Sequence, residues 1–238
     1  YACSDIIDKL PETLDKYNIK NIEDIDTMGQ FIIKSIRKFL IFQLTVNVAA
    51  VAVCFLGPML GENVILTVIQ LLLINLAMDT LAAMAYGGEP ALKEFMLEKP
   101  IKRDANIVTK AMGVEVLCSA FYITIACLAI LFFPPVTALF GDVDTTYLKS
   151  AVFATFMMAI TFNGFNARTD HVNVFANIGG NVNFLLIMLT IFMMQFVFVT
   201  FGGEMLSVES LSPASWLICG SIAVMVIPLD MLRKCLVK

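Results

Sequence analysis

Charge is scarce in this chain: Asp, Glu, Lys and Arg make up 15% of 238 residues, against about 25% in an ordinary soluble domain. A well-solvated globular surface is thereby excluded. Histidine occurs once, at His171, with no Cys or second His nearby, which leaves no imidazole metal cage. The six cysteines (Cys3, Cys54, Cys118, Cys127, Cys219 and Cys235) show no CxxC spacing, fall mainly in apolar stretches, and are read as packing residues. No glycine loop suited to cradling phosphate is present. Without an internal repeat, an inverted-repeat transporter finds no support either. The net charge of −4 carries no basic excess, so no nucleic-acid partner is implied. A signal peptide is absent, and the chain opens at Tyr1, so it is expected to be part of something longer.

What is abundant is apolar surface: 59% of residues are hydrophobic, and the mean hydropathy is +0.84. A hydrocarbon core of about 30 Å takes roughly 20 helical residues to cross. Six stretches qualify: residues 34–57, 64–86, 108–133, 148–166, 183–201 and 213–232. The predicted fold is therefore all-α and integral to a membrane, a bundle of six transmembrane helices embedded in lipid. Fifteen of the 16 Lys and Arg fall before or at the start of the first span, in or beside alternate connections, or after the last, and Lys149 alone lies on the other side. By the positive-inside rule both termini are cytosolic.

Residues 1–31 form an expected cytosolic polar segment, with Ile6, Ile7 and Leu10 at helical spacing, a break at Pro11 and seven carboxylates. It is too short to hold a core. Residues 32–238 form the membrane domain. Gly57-Pro58-Met59-Leu60-Gly61 is a tight turn that makes the first two spans a helical hairpin, and the connection from Gly87 to Thr109, broken by Pro90 and Pro100, is the longest.

Polar residues inside the spans carry the chemistry. Asp79 sits in the apolar run 64–86, where an ionised side chain costs about 2.5 to 3.5 kcal/mol on insertion scales. Asn75 lies four residues before it, on the same α-helical face. The first span carries Gln43, Thr45 and Asn47, with Gln43 and Asn47 again four apart. Two oxygen-bearing stripes can thus face each other, which is chemistry for a hard cation or a proton. The competing reading ties Asp79 to a neighbouring helix. Calcium asks for six to eight oxygens, and Asn47, Asn75 and a bidentate Asp79 supply about four. Water or another segment must complete the shell. Asn163 and Asn166 are an accessory polar face or interhelical hydrogen bonders. Glu115 snorkels to the interface or serves the ion, and Asp230 pairs with Arg233 and Lys234 at a membrane edge.

The run Ile36-Arg37-Lys38-Phe39-Leu40-Ile41-Phe42-Gln43-Leu44-Thr45-Val46-Asn47-Val48, followed by Asn75-Leu76-Ala77-Met78-Asp79-Thr80, resembles the P-type calcium-transporting ATPases of the plasma-membrane type, in their membrane region from the fifth to the tenth helix. Glu89-Pro90, Glu98-Lys99-Pro100, Phe162-Asn163-Gly164-Phe165-Asn166-Ala167-Arg168, Asn173-Val174-Phe175 and Phe201-Gly202-Gly203 follow in the family's order. Ala2-Cys3-Ser4-Asp5-Ile6-Ile7 is similar to the stretch that ends the phosphorylation domain, whereas residues 8–27 depart from the pattern.

The resemblance implies a calcium site with Asn47, Asn75 and Asp79 as ligands. Ala50 and Ile160 stand where two-site relatives carry acids, so it implies one calcium ion. The phosphorylation, dephosphorylation and nucleotide motifs are absent from these residues, so ATP and magnesium would act only through domains outside the chain. Expected partners are the calcium ion, membrane lipid, and the other half of the pump or a full-length pump. The expected membrane is plasma or vacuolar. Two rival readings are a free-standing six-helix cation channel or carrier, and a non-transporting module that binds a complete pump.

Overall fold

Six helices carry the chain back and forth: α1 (Ile22–Met59), α2 (Val68–Gly87), α3 (Lys110–Phe132), α4 (Thr145–Arg168), α5 (Val182–Phe201) and α6 (Pro213–Leu236). The computed structural model describes residues 22–62, 64–88, 107–169, 171–174 and 178–236, with side chains from Ile32 onward. Among the described residues all regular structure is helical, and all six helices contain a stretch long and apolar enough to cross a membrane. An even number of crossings brings the chain out on the side it entered. Of the expected polar segment, residues 1–21 lie outside the described residues, and the backbone of 22–31 is helical and continuous with α1. The connection across Pro90 and Pro100 also lies outside them.

α4 is the least apolar of the six spans and the most enclosed. Within its membrane window 83% of residues are buried, against 28% for α2, α5 and α6. A helix surrounded by protein needs no lipid-like surface, so polar residues collect on it at little cost. It packs against α1, α3, α5 and α6, and Ala151, Ala154, Ala159 and Gly164 are buried along it. Small residues let neighbouring backbones approach. At Gly164 a side chain would meet Met188 of α5 at 3.2 Å and Phe42 of α1 at 3.5 Å.

The hairpin between α1 and α2 turns where glycine is needed. Gly61 has φ +106°, in the left-handed half of conformational space. Lys149 at the start of α4 pairs with Glu62 on this turn at 2.9 Å. α2 begins at Val68, four residues later than the hydropathy suggests, because Thr67 caps it: Thr67 Oγ1 accepts from Gln70 N at 3.2 Å while Gln70 Oε1 accepts from Thr67 N at 2.9 Å. Gln70 Nε2 also donates to Leu206 O beyond α5, at 2.8 Å. That bond ties the start of α2 to the end of α5.

At the opposite, basic end an aromatic column does the same work. Tyr86 lies 5.9 Å from Phe42 and 5.9 Å from Phe184 between ring centroids. Its hydroxyl donates to Gly164 O at 2.9 Å. Phe165 meets Phe184 edge-on at 5.3 Å. α1, α2, α4 and α5 are thereby held together below the polar residues of the first two spans.

The sixth span is present as expected, and within it α6 is broken into two helical segments, Pro213–Val224 and Val226–Leu236. Pro228 explains the break: it lacks an N–H for the Val224 carbonyl four residues back and its ring crowds that carbonyl. Carbonyls near the break find partners on other helices, since hydrocarbon offers none. Tyr122 of α3 donates to Ile222 O, and Asn166 of α4 donates to Val226 O at 3.1 Å.

Four charges then lock the lower half of α6. Arg233 reaches Glu115 at 3.0 Å and Asp230 at 2.7 Å, and Lys234 lies 2.8 Å from Asp230. Lys234 also donates to the carbonyls of Asn166 and Thr169 at 2.9 and 2.7 Å. Removing one partner of a buried pair strands a charge, at about 3 to 5 kcal/mol. Asp230→Ala should therefore lower stability by that order in thermal unfolding in detergent, whereas Glu62→Ala, from a pair more than a quarter exposed, should cost at most about 1 kcal/mol. Equal losses from the two would contradict this assignment.

Candidate ion site

Asp79 follows a π-helical turn, Ile74–Met78, inserted in α2. Such turns wind less per residue than an α-helix and recur at functional sites. No proline or glycine lies in Ile74-Asn75-Leu76-Ala77-Met78 to announce it. Across it Asp79 N–H still donates to Asn75 O, and Asn75 is exposed while Asp79 is half-buried.

The group that meets Asp79 is Gln43 of α1. Its Nε2 donates to Asp79 Oδ2 at 2.7 Å. The other two oxygens of this pair, Gln43 Oε1 and Asp79 Oδ1, are buried and have no hydrogen-bond partner among the described residues. Buried polar atoms are nearly always partnered. Two open acceptors on hydrogen-bonded side chains, one of them a carboxylate, favour a cation over any neutral group.

Asn47 lies one turn along α1 from Gln43 and is half-buried. Thr45 is occupied elsewhere, with its hydroxyl donating back to Ile41 O at 2.8 Å. The remaining polar residues singled out in the sequence lie in the lock at the basic end. Asn166 Nδ2 reaches Asn163 Oδ1 at 3.4 Å as well as Val226 O, and Glu115 pairs with Arg233. The structure thus brings Gln43 and Asp79 together, places Asn47 nearby on the same helix, and leaves Asn75 outward.

Among the described residues no three His, Cys, Asp or Glu side chains gather. An ion held at Asp79 by the described residues alone has fewer than three His, Cys, Asp or Glu ligands and takes the rest of its shell from neutral oxygens. Gln43 Oε1, Asp79 Oδ1 and the Asn47 amide fit a hard, oxygen-seeking ion in kind, and fall short of six to eight ligands in number. Gln195, which the sequence reading passed over, is a further buried amide: it is 0% exposed and both of its amide atoms lack partners. A single amide in the run Phe192-Met193-Met194-Gln195-Phe196 has no polar neighbour at helical spacing to mark it.

A hydrogen bond to a charged group is worth about 1.5 to 3 kcal/mol. A double-mutant cycle on Gln43→Leu and Asp79→Asn, read by thermal unfolding in detergent, should show coupling of at least about 1 kcal/mol. Asn75→Ala should change stability by less than about 0.5 kcal/mol. Additive effects of the first two substitutions would show that the contact carries no energy.

The family described as cation transporting ATPase, C-terminus, matches residues 63–236. Human plasma membrane calcium-transporting ATPase 3 is 37% identical over 214 residues, covering 85% of this chain and 17% of the relative. Human plasma membrane calcium-transporting ATPase 1 is 36% identical over 212 residues, 84% of this chain and 17% of the relative. A plasma membrane calcium-transporting ATPase of Caenorhabditis elegans is 34% identical over 213 residues, again with 85% and 17% covered. The chain thus spans about a sixth of the length of these relatives. A match over most of the six-helix bundle, with Asp79 and its π turn inside it, places this chain in the family of cation-transporting ATPase C-terminal regions.

Proposed function

We propose that this chain is the membrane transport portion of a calcium-transporting P-type ATPase, and that Asp79, Asn47 and Asn75, with Gln43, supply part of a single calcium site. The observation that carries the reading is the pair of buried, unpartnered oxygens on Gln43 and Asp79. Asp79 accepts its hydrogen bond from an uncharged amide, so its negative charge is left for a cation to balance. The names of the relatives supply the ion. Ala50 and Ile160 carry no oxygen in their side chains, which fits one ion better than two.

One acid and three amides do not complete a calcium shell. Asn75 faces outward, so on this reading a segment from the rest of the pump packs on that face of α2 and brings the missing oxygens. ATP and magnesium act there as well, in domains outside this chain. The calcium ion is the cargo, and the lipid of a plasma or vacuolar membrane is the surrounding medium. The basic ends of α1, α4 and α6 lie on the cytosolic side by the positive-inside rule.

In the complete pump, calcium uptake into vesicles should be abolished by Asp79→Ala and retained by Glu115→Gln, whose amide can still accept from Arg233. Uptake that survives the first substitution would remove the site.

A further inference from the structure

α5 turns one ridge inward: Phe184, Met188, Ile191, Gln195 and Val199. Four of these are apolar. Gln195 is fully enclosed, yet neither its Nε2 nor its Oε1 has a hydrogen-bond partner among the described residues. In an apolar surrounding that is costly, and a leucine or methionine would fill the position without penalty. Packing does not account for the amide.

Its height in the bundle does. Tyr86 of α2 meets Phe184 of α5 at the basic end, and the two helices run in opposite directions. Eleven residues from that contact along each helix, at about 1.5 Å per residue, lead to Asn75 on α2 and Gln195 on α5, both about 16 Å away. Gln195 is therefore level with the π turn Ile74–Met78, about one turn beyond Asp79 toward the Gly61 end. At this height Asn75 is exposed while Gln195 is enclosed. By this count Gln43, Asp79 and Gln195 carry unpartnered buried oxygens on three helices at neighbouring heights, and α5 packs on the half of α2 that begins at Asp79.

We propose, on the reading of Asp79 as an ion ligand, that Gln195 is a positioning residue of the ion path, whose amide holds a water molecule of the ion's hydration shell one turn beyond Asp79. A divalent ion short of protein oxygens keeps waters, and those waters need partners of their own in hydrocarbon. An amide offers both a donor and an acceptor, so it can orient a water whose lone pair is given to the ion.

The test is the calcium dependence of uptake by the complete pump carrying Gln195→Met or Gln195→Glu, with thermal unfolding of each variant measured alongside. Gln195→Met should raise the half-saturating calcium concentration by about tenfold, as loss of an outer-shell partner does, with an unfolding temperature equal to or above that of the parent. Gln195→Glu keeps an oxygen and should stay within about threefold of the parent. An unchanged calcium dependence in Gln195→Met, or a loss that tracks a lower unfolding temperature in both variants, would overturn the assignment. Should Gln195→Met not accumulate in the membrane, Gln195→Asn, which shortens the amide, is read in the same way. Asp79→Asn separates the two levels: if it abolishes uptake while Gln195→Met is silent, only the role of Gln195 falls, and if it leaves uptake intact, the ion site falls with it.

Discussion

The hydrogen bond from Gln43 to Asp79 sets the terms for the rest of the bundle. Inside hydrocarbon an acid can be neutralised by a base or stabilised by a neutral donor, and the two choices have different consequences. Asp230 takes the first: Arg233 and Lys234 surround it, and with Glu115 the cluster holds two negative and two positive charges. Nothing further is required there. Asp79 takes the second, with an amide that satisfies one oxygen and cancels no charge. A charge-assisted bond of about 1.5 to 3 kcal/mol is comparable with the insertion cost of the carboxylate. The pair is therefore tolerated and still electrically open.

An open charge is useful only where its surroundings keep it in place. The tie from Gln70 to Leu206 at one end of α2 and the Tyr86 column at the other fix that helix against α5, α4 and α1 on both sides of Asp79. α4 stands in the middle and contributes backbone carbonyls more than side chains. Gly164 O receives Tyr86, and Asn166 O and Thr169 O receive Lys234. The least apolar span is in this way the internal scaffold, and the more apolar α2, α5 and α6 are the most exposed.

The six spans were legible because crossing a bilayer demands a length and a composition that little else in a sequence imitates. Gln43 and Asp79 were legible as well, since an acid and an amide in apolar runs stand out and a tight glycine turn joins their helices. Three features were not. The π turn follows from no residue in Ile74–Met78, and the spacing of Asn75 and Asp79 carried no sign that the first is exposed and the second half-buried. Gln195 has no polar residue three or four positions away, and its height beside α2 exists only in the folded bundle. The break in α6 did have its signal in Pro228, but an apolar window averages over a single proline. Glu115 read as snorkelling because its partner Arg233 is 118 residues distant in the chain and meets it only in the folded bundle.

On the proposed reading, the count of charges at the site bears on how tightly an ion is held. One carboxylate facing a divalent cation leaves a net positive charge in a low dielectric, where it is poorly tolerated. Amide oxygens soften that excess by their dipoles without removing it. Occupancy at Asp79 by this bundle alone is accordingly weak, and a second acid from the rest of a pump would convert weak holding into tight holding. A site that becomes tight when a segment closes on it, and loose when that segment withdraws, needs one acid fixed in the frame and one that moves. The frame here has its acid on α2, held at both ends, with the outward face of that helix left free for the other.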